Sequence, residues 1–153
     1  MSTPEERITQ LGLELPEVAR PLAAYVPTAR TGSLVYTAGQ LPLVKGELPV
    51  TGKVGADVTP ERAAELARIC ALNAIAALKA EVGDLSRIVR IVKVVGFVAS
   101  VPDFTGQPQV VNGASDLLGE VFGEAGVHAR SAVGVAVLPK DAPVEVELIA
   151  EIS

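Results

Sequence analysis

ARSAVGVAVLPKDAPVEVELIA, residues 129–150, is the stretch on which the fold turns. In its second half Val144, Val146, Leu148 and Ala150 fall on one side, and Glu145, Glu147 and, just beyond, Glu151 on the other, the period-two pattern of a strand with one buried face. The first half, Arg130 to Val137, sets Val133, Val135 and Val137 against Arg130, Ala132, Gly134 and Ala136. Between them Leu138 to Pro143 is turn-rich. Pairing the two strands as a hairpin across that link puts Arg130 on the face of Glu145, Glu147 and Glu151, unless the loop is odd in length or a bulge intervenes. The same register leaves Glu145 opposite Ala136, about 20 Å along the strands from Arg130 at ~3.3 Å per residue. A site using both groups then needs Glu145 from a neighbouring copy.

Working outward, IVRIVKVVGFVA at 88–99 carries β-branched residues on both alternating faces, with Ile91, Val95 and Phe97 on one and Val92, Val94 and Val98 on the other. Both faces should be covered, one by helices and the second by another copy of the protein. Thr59 caps, Pro60 opens and Gly83 closes a helix of good helix formers. Its stripe of Leu66, Ile69, Cys70, Asn73, Ala74 and Ala77 lays an apolar face on the sheet. A second helix spans Pro108 to Phe122, stopped by Gly123 and Gly126. SLVYTA at 33–38 reads as a strand, and Gly39 through Gly55 as an irregular loop. Thr3, Pro4 and Glu6 mark a short first helix ending near Gly12, after which Pro16, Pro21 and Pro27 keep the chain extended.

The whole is one domain, residues 1–153, with a core of Val, Leu, Ile and Ala, since only three Phe and two Tyr are present. A net charge of −5 argues against nucleic acid as a partner, because phosphate tracking needs clustered Lys and Arg. No apolar run is long enough to span a bilayer, and the start MSTPEERITQ lacks the basic and apolar regions of a leader. With a single cysteine and a single histidine, neither an intrachain disulfide nor an N/S zinc site is available, and a reducing cytoplasm fits.

Arg130 begins a strand whose next same-face positions are Ala, Gly and Ala, leaving room for a ligand beside a guanidinium that matches a carboxylate with two parallel hydrogen bonds. Read from the residues alone, the simpler expectation is an ion pair with Glu151. His128 is either a proton carrier at the mouth of that site or a solvated loop residue, the second being simpler. Cys70 reads as a buried small hydrophobe and Asn73 as a buried polar contact. Ser33, Ser115 and Ser131 have no His and Asp constellation to activate them.

GSLVYTAGQLPL at 32–43, the helix from Thr59 to Gly83, Asn112 near a helix start and above all residues 129–150 resemble the Rid/YjgF family of reactive enamine/imine deaminases, also labelled endoribonuclease L-PSP. The similarity runs from about Tyr25 to Ile152 in one order; the A-R-S-x-V…L-P…V-E-x-E run is its specific part. It implies an α+β, chorismate-mutase-like sheet with two main helices on one face, assembled as a homotrimer with clefts between subunits. It also implies hydrolysis of 2-imino acids such as 2-iminobutanoate and 2-iminopropanoate to 2-oxo acids and ammonia, with no cofactor and no metal. In that setting Arg130 holds the substrate carboxylate and Glu145 orients water. Tyr25, Asn112 and Ala132 contact substrate, and Ala38, Gly39 and His128 stand at the cleft.

Two positions depart from the family pattern. Ala38 stands where active members carry a serine and Ala132 where a cysteine often follows R-S, although the backbone amide near Ala132 can still donate. The N-terminal extension, residues 1–24, and the long Leu43–Gly55 loop suggest a longer branch of the family. The alternative to catalysis is a trimer that binds a carboxylate metabolite without turning it over, or acts as a chaperone-like or regulatory partner. The acidic charge and scarce aromatics disfavour ribonuclease action.

Overall fold

A computed structural model describes residues 2–18 and 24–153. Its elements are α1 (Pro4–Gln10), β1 (Thr28–Thr31), β2 (Leu34–Thr37), α2 (Pro60–Val82), β3 (Ile88–Ala99), α3 (Gln107–Phe122), β4 (Ala129–Val135) and β5 (Val144–Ile152). Helix starts follow their caps: the Thr3 and Thr59 hydroxyls accept from the amides of Glu6 and Arg62, each at 3.1 Å, with proline at the first helical turn. Pro21 lies outside the described residues.

The five strands form one mixed sheet in the order β1-β2-β5-β3-β4. This corrects the expected hairpin, because β4 and β5 are not neighbours. β3 lies between them, parallel to β4 and antiparallel to β5. The physical reason is the helix between β3 and β4. A crossover of that length returns the chain parallel to its starting strand. The link 138–143 then carries the chain past the end of β3 to its far side, held there by the Ala99 amide on the Pro143 carbonyl at 2.9 Å and the Gly52 amide on the Asp141 carbonyl at 2.9 Å.

A second correction follows from register. Arg130 lies beside Val94 and Glu145 beside Phe97. Val94 is fully buried beneath the helices, whereas Phe97 faces the other way and is half-buried. Arg130 and Glu145 therefore leave the sheet on opposite faces, not on one polar wall. A third concerns β3 itself, whose strict alternation fails. Register shifts between Ile88 and Arg90 and between Ile91 and Lys93 each insert an extra residue, so Ile88, Ile91, Val94 and Val98 all reach the helix side. The strand β1 was not foreseen. Its residues TART are mostly exposed, so no hydrophobic pattern marks them, and Gly32 with φ +57° supplies the turn into β2.

α2 and α3 pack side by side on one face of the sheet. They approach so closely that a Cβ added at Gly113 would sit 1.9 Å from the Ala64 carbonyl oxygen, and one at Gly96 would sit 2.4 Å from a methyl of Val111. α1 braces the ends of both helices: Glu5 accepts from Lys79 at 2.7 Å and from the Leu85 amide at 2.9 Å, while Arg7 donates to the Val121 carbonyl at 3.2 Å. On the opposite face Tyr36 and Val133 are exposed, and Leu34, Val95, Phe97, Val135 and Ile149 are half-buried with no layer above them among the described residues.

Candidate functional site

The expected site residues divide into two groups, one at each side of the sheet. On the β4 edge, Arg130 is tied to α3. Its Nη1 donates to Asn112 Oδ1 at 2.7 Å and to Ser115 Oγ at 3.2 Å, and its Nη2 donates to the Pro108 carbonyl at 3.3 Å. Asn112 and Ser115 stand one turn apart on α3 and so present their side chains to the same neighbour. Both hydrogens of Nη1 are thereby used, and the Nε–H and one hydrogen of Nη2 have no acceptor among the described residues. No carboxylate pairs with this guanidinium: the four ion pairs among the described residues are Lys53–Asp141, Arg62–Glu65, Arg68–Glu120 and Lys79–Glu5. The simpler expectation of an Arg130–Glu151 pair is thus not met. Glu151 lies across two strands, between Leu34 and Arg90.

His128 belongs to this edge. Its Nε2 is 2.9 Å from Ser115 Oγ and its Nδ1 2.6 Å from the Gly126 carbonyl oxygen, so it is not a solvated loop residue. Ala132 lies beside Gly96 on the same face as Arg130, half-buried against the core. Ser115 carries no triad, and a sequence reading that looks for one misses it. The usable signal was different: a polar side chain three residues after Asn112 on a helix, and a histidine two residues before Arg130 on an extended segment, where alternate residues share a face.

The second group gathers around β5. Glu145, half-buried, lies against Gly39, where an added Cβ would sit 2.7 Å from its Oε2. The chain makes room for it by leaving the ladder after Tyr36. Thr37 Oγ1 accepts the Leu148 amide at 3.0 Å in place of a backbone carbonyl, Ala38 and Gly39 bow out, and pairing resumes at Gln40 with Val146. The Ala38 amide donates to the Pro27 carbonyl at 2.8 Å, keeping the segment that carries the exposed Tyr25 nearby. Burial, and after it the charge of Glu147, push the Glu145 carboxyl above its ordinary pKa.

Arg130 and Glu145 are three residues apart along β3, about 10 Å, with two strand spacings of ~4.8 Å between them. With their side chains on opposite faces, they cannot close on one small ligand within a chain. Cys70 is buried with its thiol on the Val144 carbonyl, and burial pushes its pKa well up. Asn73 donates to the carbonyls of Leu41 and Leu43 at 3.0 and 3.1 Å, pinning the start of the 43–55 loop. Among the described residues no cluster of three or more His, Cys, Asp or Glu could hold a metal ion, and no helix is long and apolar enough to cross a membrane.

A mixed five-stranded sheet with one helical layer, Arg130 on its β4 edge and Glu145 on its central strand, defines a small α+β protein of the chorismate-mutase-like class. The family model described as "YjgF/chorismate_mutase-like, putative endoribonuclease" matches residues 5–152, and the chain belongs to that family. It is 44% identical over 147 residues to Protein TCP17 of Trypanosoma cruzi, covering 95% of this chain and 92% of that one. The crystal structure of Atu1372 from Agrobacterium tumefaciens, a protein of unknown function, superposes with a TM-score of 0.92 at 49% identity, over 98% of this chain and 92% of that one. More distant is E. coli TdcF with bound serine, with a TM-score of 0.62 at 28% identity over 91% of this chain and 94% of that one.

Proposed function

We propose that this protein is a hydrolytic deaminase of small 2-imino acids, working as a homotrimer in which Arg130 of one copy faces Glu145 of the next. The observation that carries the reading is a guanidinium fixed by Asn112, Ser115 and a backbone carbonyl, yet lacking any carboxylate partner among the described residues. An arginine so held is organised for an external acid group, and its unused Nε–H and Nη2–H are donors suited to a two-oxygen acceptor. The division of the expected residues between two sides of one sheet, with a half-buried apolar face between, supports a site completed by a neighbour. The serine bound in TdcF is a small 2-amino acid with the three-carbon skeleton and carboxylate of 2-iminopropanoate, from which it differs by one water.

The chemistry asks little of the protein. A protonated imine carbon is already electrophilic, so holding the carboxylate fixes that carbon, and the remaining tasks are to place water and move protons. Ionised Glu145 takes a proton as the water oxygen bonds to carbon and the C=N electron pair moves to nitrogen. The resulting amino alcohol gains a proton on nitrogen from Glu145, and the carboxylate so regenerated takes the hydroxyl proton as the C=O bond forms. The C–N bond then breaks, releasing ammonia and the 2-oxo acid. No electrons are exchanged with a cofactor. Ala38 and Ala132 contribute no side-chain polar group to this path.

The test generates 2-iminopropanoate or 2-iminobutanoate in situ with an amino-acid oxidase and follows its decay. Arg130→Ala should lose ~10²-fold or more in kcat/KM, the scale of two charge-assisted hydrogen bonds at ~1.5–3 kcal/mol each. Background decay with the unaltered protein, together with retained binding of 2-oxobutanoate, would instead mark a non-catalytic metabolite binder.

A further inference from the structure

Arg130 does not stand alone on its edge; a directional chain of hydrogen bonds runs into it from the other side. The Gly126 carbonyl can only accept, so the His128 nitrogen 2.6 Å away, Nδ1, carries a hydrogen. In the neutral ring Nε2 then has only a lone pair, and the Ser115 hydroxyl, 2.9 Å from it, is the donor. That donation turns the Ser115 lone pairs outward, where Arg130 Nη1 approaches at 3.2 Å. Asn112 takes the other Nη1 hydrogen, so the plane of the guanidinium is set by two acceptors on one helix face.

The base of the chain is rigid. Gly126 is buried in the 3-10 turn Gly123–Gly126, and a Cβ there would sit 2.2 Å from the Leu118 carbonyl oxygen, so the turn is seated directly on α3. The carbonyl that orients His128 is thus anchored to the helix that bears Ser115 and Asn112.

We infer that Ser115 and His128 are positioning residues for Arg130: the imidazole orients the serine hydroxyl, and the serine oxygen fixes the guanidinium so that its free edge is presented to a ligand carboxylate. A serine beside a histidine also suggests a nucleophile. Here the serine oxygen is already engaged by the guanidinium, and its role is that of an acceptor. The inference rests on the reading that Arg130 grips a carboxylate.

Titration of the unaltered protein and its variants with 2-oxobutanoate, alongside imine-decay kinetics, tests it. Ser115→Ala should weaken 2-oxobutanoate binding and raise KM about tenfold, with kcat within about twofold, because a loosened guanidinium costs binding rather than a bond-making step. Ser115→Thr, which keeps the hydroxyl, should recover most of the loss. His128→Ala should raise KM about threefold, since the hydroxyl is then free to rotate. Melting curves of all three variants should match the parent's to within a few degrees, separating orientation from unfolding. Unchanged KM and binding in Ser115→Ala, or a collapse of kcat at constant KM, would overturn the positioning role. If Arg130→Ala itself binds 2-oxobutanoate as well as the parent does, the carboxylate reading fails; if it loses binding while Ser115→Ala does not, only the relay fails.

Discussion

The two faces of the sheet draw on similar residues and reach different ends. On the helix side Val35, Ile91, Val94, Val98, Val144, Val146 and Ala150 are wholly buried, sealed by α2 and α3. On the other side Leu34, Val95, Phe97, Val135 and Ile149 stop half-way, Val133 is 42% exposed, and charged side chains stand among them. The first face is finished within the chain. The second is too apolar for a surface and too open for a core, and of the two candidate half-sites only Glu145 stands on it, Arg130 leaving the β4 edge on the helix side. Closure within the chain and openness to a neighbour thus fall on different sides of one layer.

That division can be broken from either side. The largest effect should come from the sealed face: Gly113→Ala forces a methyl against the Ala64 carbonyl oxygen, which cannot rotate away, and should cost ~2 kcal/mol or more even after the gain in helix propensity. Thermal or denaturant unfolding reads it as a clear drop in midpoint. On the open face, Val133→Asp should leave the unfolding of a single chain nearly unchanged and instead shift sedimentation from the proposed trimer towards monomer, with the proposed imine hydrolysis lost in parallel. A parent protein that sediments as a monomer would remove the basis for a shared cleft.

The smallest effect concerns pH. Burial first, and Glu147 second, keep the Glu145 carboxyl protonated to higher pH than an ordinary glutamate. The base function proposed for it would therefore be lost on acidification earlier than usual, and the acid limb of kcat/KM should lie above the ordinary carboxylate range. Removing the neighbouring charge with Glu147→Gln should move that limb to lower pH. The linked stability term has the opposite sense. A raised carboxyl pKa favours the fold below the unfolded value, and that advantage is lost as pH rises through the folded value, so Glu147→Gln should slightly stabilise the protein at neutral pH.

How legible each part was in the sequence depended on the range of the forces involved. Helix α2 was readable because Thr59, Pro60 and Gly83 punctuate it locally, and β5 because its alternation reports a single buried face over nine residues. Strand order was not readable, since nothing within residues 129–150 says that β3 lies between the two halves. That fact comes from the return path through α3. The bulges in β3 were equally hidden, because a run of β-branched residues looks regular in any register. The conclusion that Arg130 and Glu145 cannot meet within one chain stands, but for a different reason: opposite faces, rather than distance along a hairpin. The network around Arg130 was half legible. Asn112, His128 and Arg130 stand out by residue type and position, whereas Ser115, which joins two of them, acts as a hydrogen-bond bridge rather than a nucleophile, and no motif marks such a role.

The separation of Arg130 and Glu145 onto opposing faces has a consequence for how such a protein is governed. Under the function proposed above, a lone folded chain is inactive, because its Arg130 and Glu145 face apart. Turnover would then fall as the cube of protomer level well below the dissociation point of the proposed trimer, so dilution would silence it without altering any of its folded parts. Abundance itself then acts as the switch.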